Sequence, residues 1–301
     1  MNSLIHAASN GYLDTIMDLV RDGKDINGAD ANGTTPLLAA IRNGQTHVVM
    51  YLLSIPAIDI NKGDVTRFRP LFSAIESKNH EVIMAILQRP DLDINAVNGN
   101  GDTALMYAVD YYPMVVDDLI SRGVFLDAQQ EQSNVTALHL ACVSRNVYSA
   151  LSIIAAGANI HLKDDQLATA LHLAAYMNCF PIVEELLNYG ASTSEIDEFG
   201  RTPLHVVAIE LEASTEYDED KVRIIRILLQ HGADIEARDN FQETPLFTVI
   251  RAGNAACITE LIRRGSNVDA INLQGQTPRD LAQVNGTVHL LDNRPIAQTE
   301  I

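Results

Sequence analysis

The sequence has no tryptophan, and aromatic residues occupy only 5% of its 301 positions. Apolar residues make up 47% of the chain and are spread along it without a concentrated block. Large rings contribute much of the buried area of an ordinary globular core. Their scarcity argues against a single large aromatic core.

Cysteine and long apolar runs are also scarce. Cys142, Cys179 and Cys257 are far apart and odd in number, which excludes a disulfide framework and a four-thiolate zinc site. The chain has no uninterrupted apolar run of about 18 residues, and its first residues lack the basic and apolar regions of a secretory signal. We therefore expect a soluble protein of the cytoplasm or the nucleus.

Basic residues are outnumbered by acidic ones. The 21 Lys and Arg against 39 Asp and Glu give 21 − 39 = −18 at pH 7. Sequence-independent binding to nucleic acid needs basic side chains that neutralise phosphates, and an anionic membrane surface needs them too. The charge therefore predicts a partner that is neither nucleic acid nor membrane, and it favours a protein with a basic or an apolar surface.

A short motif, Thr-Pro-Leu or Thr-Ala-Leu, recurs at a nearly fixed period. Anchored on it, the spacings are 33, 34, 34, 33, 33, 33, 42 and 33 residues. Nine repeats then account for residues 1–293, and residues 294–301 are a C-terminal tail. The repeats start near positions 2, 35, 69, 103, 136, 169, 202, 244 and 277.

Each repeat has the pattern of two short helices and a turn. Thr followed by Pro is a helix start, because the hydroxyl caps free amides and Pro has no amide to leave unsatisfied. A second apolar pattern follows and stops at glycines such as Gly190 and Gly232. Helices this short are marginal alone, so neighbouring repeats must bury their apolar faces. The sequence predicts an all-α repeat solenoid of stacked helix-turn-helix units.

This pattern resembles the ankyrin repeat. The resemblance rests on the period, on the start Thr202-Pro203-Leu204-His205, on the link Gly232-Ala233-Asp234-Ile235 and on Asp-x-x-Gly hairpins such as 197–200. It implies hairpin loops that project to one side and first helices that line a concave groove. It further implies a rigid scaffold or adaptor that binds another protein through its groove and hairpin tips, without catalysis.

Repeat seven is longer than its neighbours, with an acidic insertion at about 210–220. The extra residues are either a solvated insertion that affects stability little or an acidic finger for a basic partner. Asp218, Glu219 and Asp220 lack the alternating ligand spacing of a calcium loop, so we expect no metal there.

Signatures of catalysis are missing from the sequence. It contains neither a Walker phosphate loop nor a zinc-binding HExxH helix, and no activating His accompanies the cysteines. His139, His172 and His205 recur every 33 residues, at the position where the resemblance implies a structural imidazole that bonds neighbouring loops. We therefore expect no enzyme, no catalytic residue, no metal and no cofactor.

The positions after the paired small residues of each first helix should face the groove. They are polar near the ends, as at Asn43 and Arg251, and apolar in the middle. Contiguous exposed apolar surface in a monomer usually marks an interface, although these side chains could also pack as filler. We expect a monomer that binds its partner through a central strip and two rings at hairpin tips. These residues are Tyr111, Val143, Tyr176, Met177, Ile209 and Glu210, with Phe199 and Phe241 at the tips.

The sequence leaves a second class of function open. A small-molecule binder or an unconventional enzyme would need a closed central pocket with convergent polar groups, whereas an open groove favours protein binding. The candidates for such a pocket are Tyr107, Asp110, Tyr111, His139, His172, Tyr176 and Glu210.

Overall fold

A computed structural model describes residues 3–207, 209 and 218–292. In these residues the secondary structure consists of α-helices, short 3-10 helices and two isolated β-bridges, without a strand. The predicted all-α repeat fold is confirmed. The chain divides into two compact units, residues 1–140 and 141–301. The single solenoid over 1–293 stays a prediction.

The first unit contains short helices in pairs. They are α1 (Ser3–Asn10), α2 (Leu13–Arg21), α3 (Pro36–Arg42), α4 (Thr46–Ser54), α5 (Pro70–Glu76), α6 (His80–Leu87), α7 (Ala104–Tyr111) and α8 (Val116–Ser121). A 3-10 helix over Pro113–Val115 leads into α8, and α9 (Ala137–Val143) begins in this unit and ends in the next. Helices α1, α3, α5 and α7 pack side by side in that order, and α4 packs on α6.

The second unit repeats the plan. Its helices are α10 (Val147–Ala155), α11 (Ala170–Tyr176), α12 (Phe180–Asn188), α13 (Pro203–Val206), α14 (Asp218–Gln230), α15 (Pro245–Ala252), α16 (Ala255–Arg263) and α17 (Pro278–Val284), followed by a 3-10 helix over Val288–Leu290. Helices α11, α13, α15 and α17 form one layer, and α10, α12, α14 and α16 form the other. Small and aliphatic residues between the layers, such as Ala174, Ile224 and Leu246, are buried.

The repeat motif starts the first helices as the sequence predicts. Thr35 accepts a hydrogen bond from the Leu38 N–H on its Oγ1 at 3.2 Å, and Pro36 occupies the first helical position. In repeat nine, Asp280 has the reciprocal part, since its Oδ2 accepts from the Thr277 N–H at 2.8 Å. These caps satisfy amides that the first turn of a helix leaves without partners.

Imidazoles connect successive repeats in the second unit. The Nδ1 of His172 accepts from the Thr169 N–H at 3.2 Å, which places the proton on Nε2, and Nε2 lies 3.0 Å from the Arg201 carbonyl oxygen. His205 makes the same pair of contacts in the following repeat, at 3.1 Å each. His139 accepts from the N–H of its own Thr at 3.1 Å. The expected loop-bonding role of these imidazoles is confirmed for His172 and His205.

The acidic insertion is described only in part. Residues 210–217 lie outside the described residues, whereas Asp218, Glu219 and Asp220 form the first turn of α14. Acidic side chains in a first turn interact favourably with the positive end of the helix dipole. The last three acidic residues of the insertion thus belong to α14.

Candidate functional site

The second unit has a cleft of about 350 Å³ beside the hairpin tips that precede α13 and α15. We call it the tip cleft. Its wall includes residues of both tips and residues of α15. It also includes Ile209, which stands three positions after the end of α13. The lining residues are Phe199, Arg201, Ile209, Asp239, Phe241, Glu243, Thr248, Arg251 and Ala252.

A buried aspartate shapes each tip. The Oδ1 of Asp197 accepts from the N–H groups of Phe199 and Arg201, both at 2.9 Å, and Asp239 does the same for Phe241 and Glu243 at 2.8 Å. Such bonds fix a turn from within. The rings that follow are held in half-exposed positions, at 43% exposure for Phe199 and 49% for Phe241.

The two tips are joined by their backbones. The Asn240 N–H donates to the Phe199 carbonyl at 2.9 Å. Gly200 makes this approach possible, since its φ is +75° and an added Cβ would lie 2.8 Å from the Asn240 nitrogen. The rings of Phe199 and Phe241 are therefore carried by one connected backbone.

Two arginines give the tip cleft its polar walls. Arg201 donates from Nε to the Asp197 carboxylate at 2.7 Å, and its guanidinium carbon lies 4.5 Å from the Phe199 ring centre. Arg251 donates to both oxygens of Glu243, at 2.9 and 2.6 Å, and these bonds raise the pKa of its guanidinium. Glu243 is itself buried. The cleft therefore offers two rings between fixed ion pairs, a combination suited to an apolar side chain with polar neighbours.

The structure brings together three residues of the predicted binding surface. Phe199, Phe241 and Ile209 line the tip cleft. Arg251, which the sequence assigns to a polar groove end, lines it too, and it is bonded there to Glu243 of the second tip. Sequence reasoning missed Arg201, Asp239 and Glu243. The available sign was the pattern Asp-x-Phe-x-x-Thr, which occurs at 197–202 and again at 239–244.

Of the remaining predicted residues, those that the structure describes are not among the residues that line the tip cleft. Val143 is exposed and Tyr176 and Met177 are half-buried in the second unit, whereas Tyr111 belongs to the first. Glu210 lies outside the described residues. The central strip as one continuous surface stays a prediction.

Tyr111 belongs to a group of aromatic side chains in the first unit that we call the ring cluster: Phe68, Phe72, Tyr107 and Tyr111. Tyr107 and Tyr111 are stacked with ring centres 4.4 Å apart, and Phe68 and Phe72 meet Tyr107 edge-on at 5.4 and 5.5 Å. The Arg42 guanidinium lies 5.7 Å from the Phe68 ring centre. Phe72 is buried, and Tyr111 is 41% exposed. Phe68 and Tyr107 are half-buried, so the ring cluster is exposed mainly through Tyr111.

The titratable groups around the ring cluster are shifted by identifiable causes. Burial, a hydrogen bond with Tyr111 and the charge of Glu76 raise the pKa of the Tyr107 phenol. Burial and the charge of Asp102 raise the pKa of Asp110. A phenol with a raised pKa stays neutral at pH 7 and is a poor general base.

The histidines proposed for a catalytic pocket are engaged in the fold. His172 is buried, its two ring nitrogens contact Thr169 and the Arg201 carbonyl, and burial lowers its pKa. His139 is buried beside Thr136. Of the other pocket candidates, Tyr107, Asp110 and Tyr111 belong to the first unit and Tyr176 to the second.

Within residues 3–207 and 218–292, every helix is too short or too polar to traverse a bilayer. Among the residues that the structure describes, no three His, Cys, Asp or Glu side chains are grouped so that they could hold a metal ion.

Residues 4–98, 79–164, 145–239 and 211–293 match the family described as ankyrin repeats (three copies). The chain belongs to the ankyrin-repeat family. Ankyrin repeats are protein-interaction modules and are typically non-catalytic. The repeat motif in the sequence therefore leads to the same family as the comparison.

Curated relatives of this ankyrin-repeat chain include parts of larger enzymes. Tyrosine-protein kinase HTK16 of Hydra vulgaris is 32% identical over 171 residues, which cover 54% of this chain and 21% of the kinase. Palmitoyltransferase ZDHHC17 of Danio rerio is 30% identical over 192 residues, 55% of this chain and 31% of that protein. Its counterpart in Homo sapiens is 29% identical over 200 residues, 55% of this chain and 30% of that protein. The matched regions thus span about a fifth to a third of these relatives.

Proposed function

We propose that this ankyrin-repeat chain is a non-catalytic scaffold that binds a segment of a partner protein through its concave groove and hairpin tips. The proposal assigns the main contact to the tip cleft. The observation that carries it is the meeting of Phe199, Phe241 and Ile209 around one cavity of about 350 Å³.

The tips are suited to binding because they are already ordered. The Asp197 and Asp239 turns and the bond from Asn240 to Phe199 hold the two rings in place before a partner arrives. Ordering side chains on association costs about 0.5–1.5 kcal/mol each, and prior order removes part of that cost. Rigid aromatic side chains at the centre of an interface are frequent hot spots.

The chemistry of the cleft indicates the kind of segment that it binds. Two half-exposed rings favour an apolar side chain, whose burial between them contributes about 25 cal/mol for each Å² removed from water. The net charge of −18 attracts basic residues at longer range and raises their association rate at low salt. We therefore infer a segment with an apolar anchor and basic flanks.

The absence of catalysis in this proposal rests on the engaged histidines and on the relatives. His172 and His205 use both ring nitrogens in contacts that connect repeats. The relatives are named for two different chemistries, kinase and palmitoyltransferase, although each is matched over a minority of its length. A shared interaction module explains both matches.

We further propose that this binding takes place in a reducing compartment of the cell. Cys142, Cys179 and Cys257 are all buried thiols, which supports a reducing compartment such as the cytoplasm or the nucleus. We infer a monomer that binds protein, and neither nucleic acid nor membrane, because acidic residues outnumber basic ones 39 to 21.

Affinity capture with matched variants tests this function. The intact chain, the Phe199→Ala/Phe241→Ala variant and a Tyr12→Ala/Phe125→Ala control are each used to capture proteins from cells, and the captured proteins are quantified. The control removes two exposed rings of the first unit. Truncation of two interface anchors should lower the recovery of the partner by at least about tenfold, and the control should leave it unchanged.

Folding of the variants is checked by thermal unfolding, where both double variants should melt within about 3 °C of the intact chain because half-exposed rings carry little of the core. Equal recovery of every captured protein by the intact chain and the Phe199→Ala/Phe241→Ala variant would exclude the tip cleft as the main contact.

A further inference from the structure

Three arginines converge on one carboxylate in the second unit, in the layer formed by α10, α12, α14 and α16. Arg226 of α14 donates from Nε and Nη2 to the two oxygens of Glu260, both at 3.0 Å. Arg263 and Arg264, at the end of α16, donate to the same carboxylate at 2.6 and 3.0 Å. We call these three residues the arginine cluster. Glu260 is buried beneath it.

The arginine cluster has more positive charge than is required to neutralise the Glu260 carboxylate. The bidentate pair with Arg226 alone neutralises the carboxylate, and three guanidiniums against one carboxylate leave 3 − 1 = +2. The hydrogen bond from Arg226, opposed by burial and assisted by Arg263 and Arg264, lowers the pKa of Glu260 to about 2. The carboxylate is thus ionised at neutral pH, so the local charge is permanent.

Helix position explains only part of this arrangement. Cations are favoured at a helix C-terminus, which accounts for Arg263 and Arg264 separately. It does not account for Arg226, which lies inside α14 and reaches across to the next repeat. Glu260 instead holds all three guanidiniums in one fixed group.

The arginine cluster is accessible from solvent. The side chains of Arg226, Arg263 and Arg264 are 43%, 51% and 37% exposed. Their four hydrogen bonds to Glu260 use four of about fifteen N–H donors, since each guanidinium has five. One turn before Arg226, Arg223 pairs with Asp220 at 3.1 Å, and its guanidinium carbon lies 3.7 Å from the Phe180 ring centre.

We propose that the arginine cluster binds a phosphate monoester, carried by a phosphorylated serine or threonine of a partner protein. Guanidinium forks match the oxygens of a phosphate, which has a charge of about −1.5 to −2 at neutral pH. The phosphate is compact enough to lie within the +2 region. Because charges are screened over about 8 Å at physiological ionic strength, the surrounding acidic surface repels a bound phosphate little.

The same charge distribution disfavours longer anions. A nucleic acid or an anionic membrane would extend beyond the arginine cluster and meet the rest of a chain whose net charge is −18. A single phosphorylated side chain avoids this repulsion. The site is distinct from the tip cleft, so the two assignments stand or fall separately.

Titration of the intact chain, followed by NMR of its arginine Nε–H groups, tests the phosphate site. The probes are inorganic phosphate, a short neutral peptide with one phosphoserine, and the same peptide with serine. Phosphate and the phosphopeptide should shift the signals of Arg226 and Arg264, while the unmodified peptide should not. Arg226→Gln/Arg263→Gln should weaken phosphopeptide binding by at least about tenfold, because two of three charged donors are lost.

Arg21→Gln is the matched control, since Arg21 also forms an ion pair with an acidic residue of its own helix but stands without other arginines in that contact. It should leave phosphopeptide binding unchanged. Equal shifts at Arg21 and in the arginine cluster, or none in either, would contradict a specific site. Binding of inorganic phosphate without binding of the phosphopeptide would overturn the assignment to a partner protein.

Discussion

The ring cluster of the first unit and the tip cleft of the second use similar residues with opposite results. In the ring cluster, Tyr107 is stacked on Tyr111 and meets Phe68 and Phe72 edge-on, so the rings pack on one another. In the tip cleft, Phe199 and Phe241 border a cavity of about 350 Å³. Aromatic content alone therefore does not identify a binding surface.

The difference arises at equivalent repeat positions. Phe68 stands two residues before the first Pro of α5, and Glu243 stands two residues before the first Pro of α15. Arg42 and Arg251 are likewise equivalent, since each stands six positions after the first Pro of its helix. A ring at the first position packs on its neighbours, whereas Glu243 instead forms a pair with Arg251 and leaves the space open.

Truncation of buried rings should give the largest effect and should be equal in the two units. Phe72 and Phe247 hold the same repeat position, and both are buried. Replacement of either by Ala should lower the free energy of unfolding by about 3–5 kcal/mol through lost burial and the cavity that remains. Phe199→Ala should lower it by less than about 1 kcal/mol. Urea unfolding of the three variants measures the contrast, and a Phe199 effect as large as that of Phe72 would show that the tip is core.

Truncation of the equivalent arginines, Arg251 and Arg42, should lower stability by less than truncation of a buried ring. Among the described residues, Arg251→Ala leaves the buried Glu243 carboxylate with Asn272 as its one side-chain donor, at 3.1 Å, and should lower stability by about 1–3 kcal/mol. Arg42→Ala should lower it by about 1 kcal/mol or less, because Asp64 keeps its bonds from Thr66. Thermal unfolding of both variants checks the order, which would be reversed if Asp64 depended mainly on Arg42.

The acidity of Asp64 gives a related expectation. Burial opposes its ionisation, but hydrogen bonds from Thr66, Arg42 and the Phe68 N–H outweigh burial and lower its pKa to about 2. A lowered carboxylate pKa stabilises the folded state above the unfolded value, near 3.8, and this contribution is lost as the pH falls toward 2. The stability that depends on ionised Asp64 is therefore lost at a pH well below that at which histidines titrate.

Mild acid should affect the second unit more than the first. Burial lowers the pKa of His172 and of His205 below 6.5. The unfolded chain then binds more protons than the folded one, so stability is fully present above pH 6.5 and is lost as the pH falls below it, by up to about 1.4 kcal/mol per pH unit for each group. Helices α3, α5 and α7 have Leu38, Phe72 and Met106 at that position.

Hydrogen exchange at pH 7 and pH 5.5, corrected for intrinsic rates, measures this difference. Amides of α11 and α13 should lose more protection than those of α3 and α5. His172→Leu should reduce the pH dependence in the second unit even if it lowers stability overall. Equal loss in both units would show that another group controls the acid response.

Tyr111→Ala should have the smallest effect and sharpens the comparison most. It removes a stacked ring that is 41% exposed, so stability should fall by about 1 kcal/mol. If the tip cleft is the main contact, partner affinity should change by less than about twofold, since energetically minor positions surround a hot spot. A tenfold loss, measured by titration with the captured partner, would support the central strip predicted from the sequence.

The repeat architecture could be predicted because it is encoded locally. A Thr hydroxyl or a Pro at a helix start acts within one turn, as the bond from Leu38 to Thr35 shows. The imidazole contacts of His172 and His205 also follow from position within the repeat. These features need only the period and the motif.

The candidate site could be predicted only in part. Phe199 and Phe241 follow from their place at hairpin tips and Ile209 from its place in the repeat frame. The role of Arg251, in contrast, depends on a carboxylate eight residues earlier in the chain. The contact between Phe68 and Tyr107 joins residues of adjacent repeats, so it depends on how the repeats pack. Side-chain partners across repeats are therefore what the motif leaves open.

The most direct test of the central claim is photo-crosslinking from defined positions in cells. A benzoylphenylalanine is placed at position 241, at 111 or at 125 in the intact chain, and covalent adducts are identified. The proposed role of the tip cleft predicts one partner protein crosslinked from position 241, with the adduct lost when Phe199→Ala is added, and none from position 125. Adducts from position 111 and none from position 241 would contradict it.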